Sequence, residues 1–255
     1  MLLQFIKTEN SPHRLDITIS HPPVNILTGA VLKELSAALD AATQDRSLRV
    51  LVLKGGGKAW SAGADVSEHM PGKFEEMLYL FGGVCEKLRT FPIPTIAAVD
   101  GLCLGGGCEV ARMCDFVIAS ERAKFGQPEI KVGVIPPVAC AHFPTRIGWS
   151  HALEVVLSGD VFDAPASLQL GLADKVVAVE SFDQAVDGFA ARFTAHSGAV
   201  LKSAKKAALI GQSRTPEAAV QEVDWLYRRD LMATADAVEG LKAFVEKRTP
   251  EWKDS

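Results

Sequence analysis

Hydrophobic and polar positions change rhythm along the chain. Residues 15–20 (LDITIS) alternate apolar and polar, the period-two pattern of a strand with one buried face. His21-Pro22-Pro23 ends that run. Beyond Thr28-Gly29-Ala30, Leu32, Leu35 and Leu39 recur at helical spacing, flanked by Val31 and Ala38, and predict an amphipathic helix over 31–42. Residues 50–53 (VLVL) and 95–99 (TIAAV) are short continuous apolar runs, as in strands covered on both faces. Gly55-Gly56-Gly57 stops the first. A glycine-rich turn follows the second, then a helical stretch over 106–114 and a strand over 115–119. Such strand–helix alternation predicts an α/β domain. After Ser167 the rhythm turns helical: 182–193, 199–209 and 216–247 are alanine-rich, and 175–179 is the remaining strand candidate. The pattern predicts one domain with a helical C-terminal lobe.

Composition narrows the class. The chain has 255 residues, of which 48% are hydrophobic and 23% charged, enough to bury one sizeable core. Lys and Arg number 27 against 31 Asp and Glu, a net charge of −4, so no basic field exists to hold nucleic acid or an anionic membrane. No apolar run reaches the roughly 18 residues of a spanning helix; residues 93–119 are interrupted by Pro94, Asp100, Glu109, Arg112 and Asp115. The opening MLLQFIKTENSPHR has neither a basic n-region nor a long apolar stretch, so no signal peptide is expected. Cys85, Cys103, Cys108, Cys114 and Cys140 make no disulfide framework and no paired zinc pattern. A soluble, cytoplasmic, thiol-reduced protein is expected. The P-loop, GxSxG, HExxH and strand-linked GxGxxG patterns are absent, and the six histidines show no ligand spacing, so no metal is expected.

Two glycine-rich turns carry the candidate chemistry. One is Trp60-Ser61-Ala62-Gly63-Ala64-Asp65, shortly after VLVL; the other is Gly101-Leu-Cys-Leu-Gly105-Gly106-Gly107-Cys108-Glu109, which follows TIAAV and opens a helix. Glycine lets backbone approach a ligand, and the first N–H groups of a helix form a positive dipole end. Facing one another, the turns would form an oxyanion hole. Taken singly, each is explained by a tight strand-to-helix connection. Glu109 lies in the first turn of the second helix, which the dipole alone would favour. Glu129 sits in a loop, Gly126-Gln127-Pro128-Glu129-Ile130, with apolar flanks that imply a partly buried carboxyl. Two glutamates in one dry pocket would titrate together, with at least one pKa raised into the range of a general acid or base.

Four segments in order resemble the enoyl-CoA hydratase/isomerase (crotonase) family over nearly the whole chain. They are 59–65 (AWSAGAD), 101–109 (GLCLGGGCE) with Cys114-Asp115, 125–130 (FGQPEI) and 239–248 (EGLKAFVEKR). The resemblance implies an α/β crotonase-type ββα superhelical spiral over 1–195. Residues 196–255 would form a C-terminal helical region that builds a homotrimer or a dimer of trimers. It also implies that the Ala64 and Gly106 amides bind the thioester carbonyl of an acyl-CoA. Glu109 would orient water while Glu129 exchanges the α-proton. Ala62, Asp65 and Lys247 are implied contacts to substrate or CoA, Lys247 reaching from a neighbouring subunit or lying as a solvated lysine. No cofactor is implied, since coenzyme A belongs to the substrate, and neither a nucleic acid nor a membrane partner is expected.

Two departures stand out. Straight-chain members commonly continue after the second glutamate with a PGAGGTQRL-like run, whereas this chain reads Gly133-Val-Ile-Pro136-Pro137-Val-Ala-Cys-Ala-His-Phe-Pro144. That loop is similar to those of hydratases acting on cyclohexa-1,5-diene-1-carbonyl-CoA, which yield 6-hydroxycyclohex-1-ene-1-carbonyl-CoA, and it makes Pro136 and Pro137 candidate substrate contacts. The family's lysine two residues after the AGAD aspartate is Ser67 here. A linear 2-enoyl-CoA hydratase, an enoyl-CoA isomerase, an RNA-binding relative using Lys202, Lys205 and Lys206, and a non-catalytic paralogue are the rival readings.

Overall fold

A computed structural model describes residues 3–255. Met1 and Leu2, which begin the stretch read above for a targeting segment, lie outside the described residues. The strands are β1 (Ile6–Ser11), β2 (Arg14–Ile19), β3 (Val50–Gly55), β4 (Ala59–Ser61), β5 (Thr95–Val99), β6 (Leu102–Leu104), β7 (Phe116–Ser120), β8 (Lys124–Gly126), β9 (Val161–Asp163) and β10 (Lys175–Val177). The first helices are α1 (Gly29–Gln44), α2 (Phe74–Arg89), α3 (Gly106–Met113), α4 (Pro137–Arg146) and α5 (Trp149–Ser158). They are followed by α6 (Ala164–Leu170), α7 (Phe182–Thr194), α8 (Gly198–Ser213), α9 (Pro216–Leu226) and α10 (Ala235–Glu246).

The strands form two sheets, ordered β1-β2-β3-β5-β7-β10 and β4-β6-β8-β9. Three successive units, β3-β4-α2, β5-β6-α3 and β7-β8-α4, each lay one strand in each sheet before a helix, which is the expected ββα spiral. The β3, β5 and β7 strands pair in parallel, Leu51 opposite Thr95 and Ile96 opposite Phe116. Leu51, Leu53, Ala97, Val99, Val117 and Ala119 belong to the main core, which includes the buried stripes of α1 and α2. On the other face Val50, Val52, Ile96, Ala98 and Ile118 meet Val186 and Ala190 of α7, with Phe116, Phe189 and Phe193 packed beside them. Burial on both faces is why these strands read as unbroken apolar runs.

The chain turns from one sheet to the other over a very short distance. At Gly101, between β5 and β6, a methyl group would lie 2.3 Å from the Lys58 carbonyl oxygen, and φ is +80°. Only glycine fits that corner.

Several expectations change. The stretch 216–247 is not one helix: α9 passes into a π-helical turn, Tyr227–Leu231, and α10 begins anew where Thr234 Oγ1 accepts from the Ala237 amide. The Glu129 loop is a short 3-10 helix, Pro128–Val132, closed by Gly133 at φ +80°. Helix α2 was not foreseen, although Met77, Phe81, Val84, Cys85 and Leu88 form its buried stripe. The three lysines proposed as a basic cluster diverge. Lys205 pairs with Asp115 in a half-buried contact, Lys206 with Asp230, and Lys202 reaches the Arg46 carbonyl.

Candidate active site

The first glycine turn is held from behind. Ser61, wholly buried at the end of β4, donates to the Asn25 carbonyl at 2.7 Å and accepts from the Gly63 amide at 3.1 Å. The buried Asn25 side chain donates to the carbonyls of Gly56 and Ala59, and the Ala62 amide donates to Val24. Gly63 itself sits at φ +107°.

The second turn crosses the first at contact distance. A methyl group on Gly107 would lie 2.7 Å from the Ser61 carbonyl oxygen, and one on Gly106 would lie 3.2 Å from the Ala64 amide nitrogen. One on Gly63 would lie 3.5 Å from the Gly106 amide nitrogen. The two turns therefore face each other. Among the described residues, neither the Ala64 nor the Gly106 amide donates to a protein acceptor. Two amides without a protein acceptor thus border one space, the donor arrangement that an oxyanion requires.

Glu109 lies one helical turn beyond Gly106 on α3 and is only 3% exposed. Its Oε1 accepts from the Ala139 amide at 2.8 Å, in the first turn of α4. Pro136 and Pro137 begin that helix without N–H groups, so Val138 and Ala139 supply its first amides. Burial pushes the Glu109 acid up to about 8; the Ala139 amide opposes the shift and the Glu129 charge adds to it.

Glu129 is half-buried, and burial pushes it up to about 7. The side-chain amide of the fully buried Gln127 lies against Glu129; in the amide orientation that satisfies both groups its nitrogen is 3.0 Å from Oε2 and 3.1 Å from Oε1. A methyl group on Gly105 would lie 2.6 Å from Glu129 Oε1, so this carboxyl rests against the start of α3. With values near 7 and 8, the pair holds about one proton around neutral pH.

Both carboxyls open into a cavity of about 340 Å³, shared with Gly105, Gly106, Ala64 and Ala62. Its apolar lining includes Val66, Met70, Met77, Leu78 and Phe81 together with Val132, Val134, Ile135, Pro136 and Pro137. Asp65 is not among the lining groups: it caps the 3-10 helix Val66–His69 by accepting from the Ser67 amide. Lys247 lies outside this cavity too, as the left-handed C-cap of α10 at φ +55°. His69 and Phe81 line the cavity and Gln127 supports Glu129, three residues to which the sequence assigns no role. His69 makes no hydrogen bond to a protein group among the described residues. Gln127 could have been noticed two positions before Glu129, and Phe81 from the stripe of α2.

A sequence profile described as enoyl-CoA hydratase/isomerase matches residues 14–255. The chain belongs to that family. It is a hydratase-type enzyme with a crotonase-type fold. It is 36% identical over 240 residues to the cyclohexa-1,5-dienecarbonyl-CoA hydratase of Thauera aromatica, covering 94% of this chain and 93% of that one. It is 35% identical to the 2,3-dehydroadipyl-CoA hydratase of Escherichia coli K12, covering 93% and 94%. The crystal structure of an enoyl-CoA hydratase from Bacillus anthracis superposes with a TM-score of 0.91 at 31% identity, covering 99% of this chain and 100% of that one. Among the described residues no helix is long and apolar enough to cross a membrane.

Proposed function

We propose that this family member adds water to a conjugated enoyl- or dienoyl-CoA thioester, with cyclohexa-1,5-diene-1-carbonyl-CoA as its substrate. The observation that carries the hydratase reading is the meeting of two raised-pKa carboxyls and two free facing amides in one cavity. The Ala64 and Gly106 amides receive the thioester oxygen and stabilise the enolate that forms when oxygen attacks the β-carbon. Glu109 orients the water, and the ionised member of the pair takes its proton. Glu129 delivers a proton to carbon, drawn from the one proton that the two carboxyls share. In a simple enoyl group that carbon is α. In the cyclic diene the enolate extends over the second double bond, and protonation at its far end gives 6-hydroxycyclohex-1-ene-1-carbonyl-CoA. One O–H bond breaks, one C–O and one C–H bond form, and the pair ends with the proton count it began with. The chemistry requires no cofactor besides the CoA that the substrate carries.

The cyclic substrate is supported by the apolar cavity, by the Pro136–Pro137 wall and by the Thauera relative's name. A linear 2-enoyl-CoA is the second reading, favoured by the name of the Escherichia coli relative; an isomerase has less support, because it has no need of two carboxyls. The spiral over 1–195 serves as the catalytic unit. Residues 196–255 pack copies into a trimer or a dimer of trimers, which would bring Lys247 of one copy toward the CoA of another. Ala62 borders the thioester end, while Asp65 acts through its turn rather than by direct contact. The chain works in the cytoplasm, free of nucleic acid and membrane.

Mixing the purified protein separately with cyclohexa-1,5-diene-1-carbonyl-CoA and crotonyl-CoA, and following loss of conjugation by absorbance, tests both readings. Rapid loss of the diene with slow crotonyl turnover is expected; the reverse assigns a linear hydratase. Glu109→Gln and Glu129→Gln should each lower turnover by about 10²–10⁴-fold while acyl-CoA binding persists. Wild-type turnover in either variant overturns its assigned role.

A further inference from the structure

The hydratase reading leaves one wall of the cavity without a part in the reaction. Phe81 lies on the buried stripe of α2, 3% exposed, and lines the cavity beside Met77 and Leu78. A methyl group on Gly106 would lie 2.9 Å from Phe81 Cε2 and 3.2 Å from Cζ, so the ring edge rests on the residue that supplies one free amide. The neighbouring Gly105 is instead covered by the Glu129 carboxyl. Two adjacent residues at the start of α3 thus meet a phenyl ring on one side and a carboxyl on another. Ile135, Pro136 and Pro137 line the same cavity.

A conjugated thioester is planar, because its carbonyl and double bonds overlap only in one plane. With its oxygen on the Ala64 and Gly106 amides, that plane begins at Gly106. Water and proton must reach it from the carboxyl side. Its other face then meets the side chain that covers Gly106.

We propose that Phe81 is a specificity-determining residue: its ring packs against the non-reacting face of the conjugated acyl group and favours a flat cyclic dienoyl group over a flexible chain. This rests on the hydratase reading. A ring held flat presents its whole face to Phe81, whereas a short chain presents little area and loses torsional freedom when pressed flat. The same contact keeps water from the side opposite the carboxyls.

The test compares kcat/KM for cyclohexa-1,5-diene-1-carbonyl-CoA and crotonyl-CoA in wild type, Phe81→Leu and Phe81→Tyr. Leucine keeps an apolar wall but removes the aromatic face; tyrosine keeps the face, so it controls for disturbed packing. The ring-to-chain ratio should fall about tenfold in Phe81→Leu and stay within about twofold of wild type in Phe81→Tyr. An equal loss on both substrates, or no change in the ratio, overturns the role of Phe81 and leaves the hydratase reading standing. Wild-type turnover of crotonyl-CoA alone overturns the preference for a flat ring. A wild-type protein that hydrates neither thioester overturns the hydratase reading and this proposal with it.

Discussion

Glu109 and Glu129 are both acids held above their ordinary range, yet their supports differ. Glu109 is buried against a helix N-terminus, while Glu129 lies against the side-chain amide of Gln127. Water addition needs one ionised and one protonated carboxyl. Turnover should therefore be bell-shaped in pH, falling below about 7 as both become protonated and above about 8 as both ionise. With its nitrogen turned toward the carboxylate, the Gln127 amide would donate to Glu129 and favour its ionised form. Removing that donor in Gln127→Leu should raise the Glu129 pKa, move the acidic limb to higher pH and narrow the bell. A pH–rate profile checks this, and an unmoved acidic limb would mean that Gln127 only packs. Sequence flanks correctly implied a partly buried Glu129. They could not reveal that Gln127 faces it, because residues two apart in a loop have no fixed relation.

All eight residues of helix α3, which carries Gly106 and Glu109, are buried. Its start is pinned by the Gly105 amide donating to Gly126, and its end by Arg112, paired with Asp174 at 2.9 Å. Gly105 adopts φ +52° with Glu129 against it. Gly105→Ala should displace that carboxyl and lower hydration about 100-fold, the scale expected when a reacting group is misplaced by an ångström. Measured against acyl-CoA affinity, which should change far less, this separates chemistry from binding; a parallel fall in both would contradict it. β3, β5 and β7 were legible as apolar runs and α1 by its leucines, where period and length agree, whereas the equally long α2 was not. β4, β6, β8 and β9 span three residues each, too few to display a period. β1 escaped because five of its six residues are exposed.

The assembled molecule leaves an apolar surface on its last helices: Trp225, Leu241, Phe244 and Val245 are exposed, Phe244 at 85%. Large exposed apolar groups on adjoining elements mark an interaction face. Phe244→Asp should convert the proposed trimer to monomers in size-exclusion chromatography with light scattering; an unchanged mass would place the contact elsewhere. The helical lobe is also tied to the spiral, with Arg49 bonded to Asp254 and Lys205 to Asp115. Sequence alone was sufficient for the α/β class and the family, and it named Ala64, Gly106, Glu109 and Glu129 as the candidate groups. Those properties reside in local pattern, such as a period, a glycine run or a motif of adjacent residues. What had to await the folded chain was proximity between distant segments. The facing of the two glycine turns, the Ala139 amide on Glu109, Gln127 on Glu129 and Phe81 behind Gly106 all join residues whose order along the chain does not encode their separation. Packing of buried side chains sets those distances, and it is specified only when every layer of the spiral is in place.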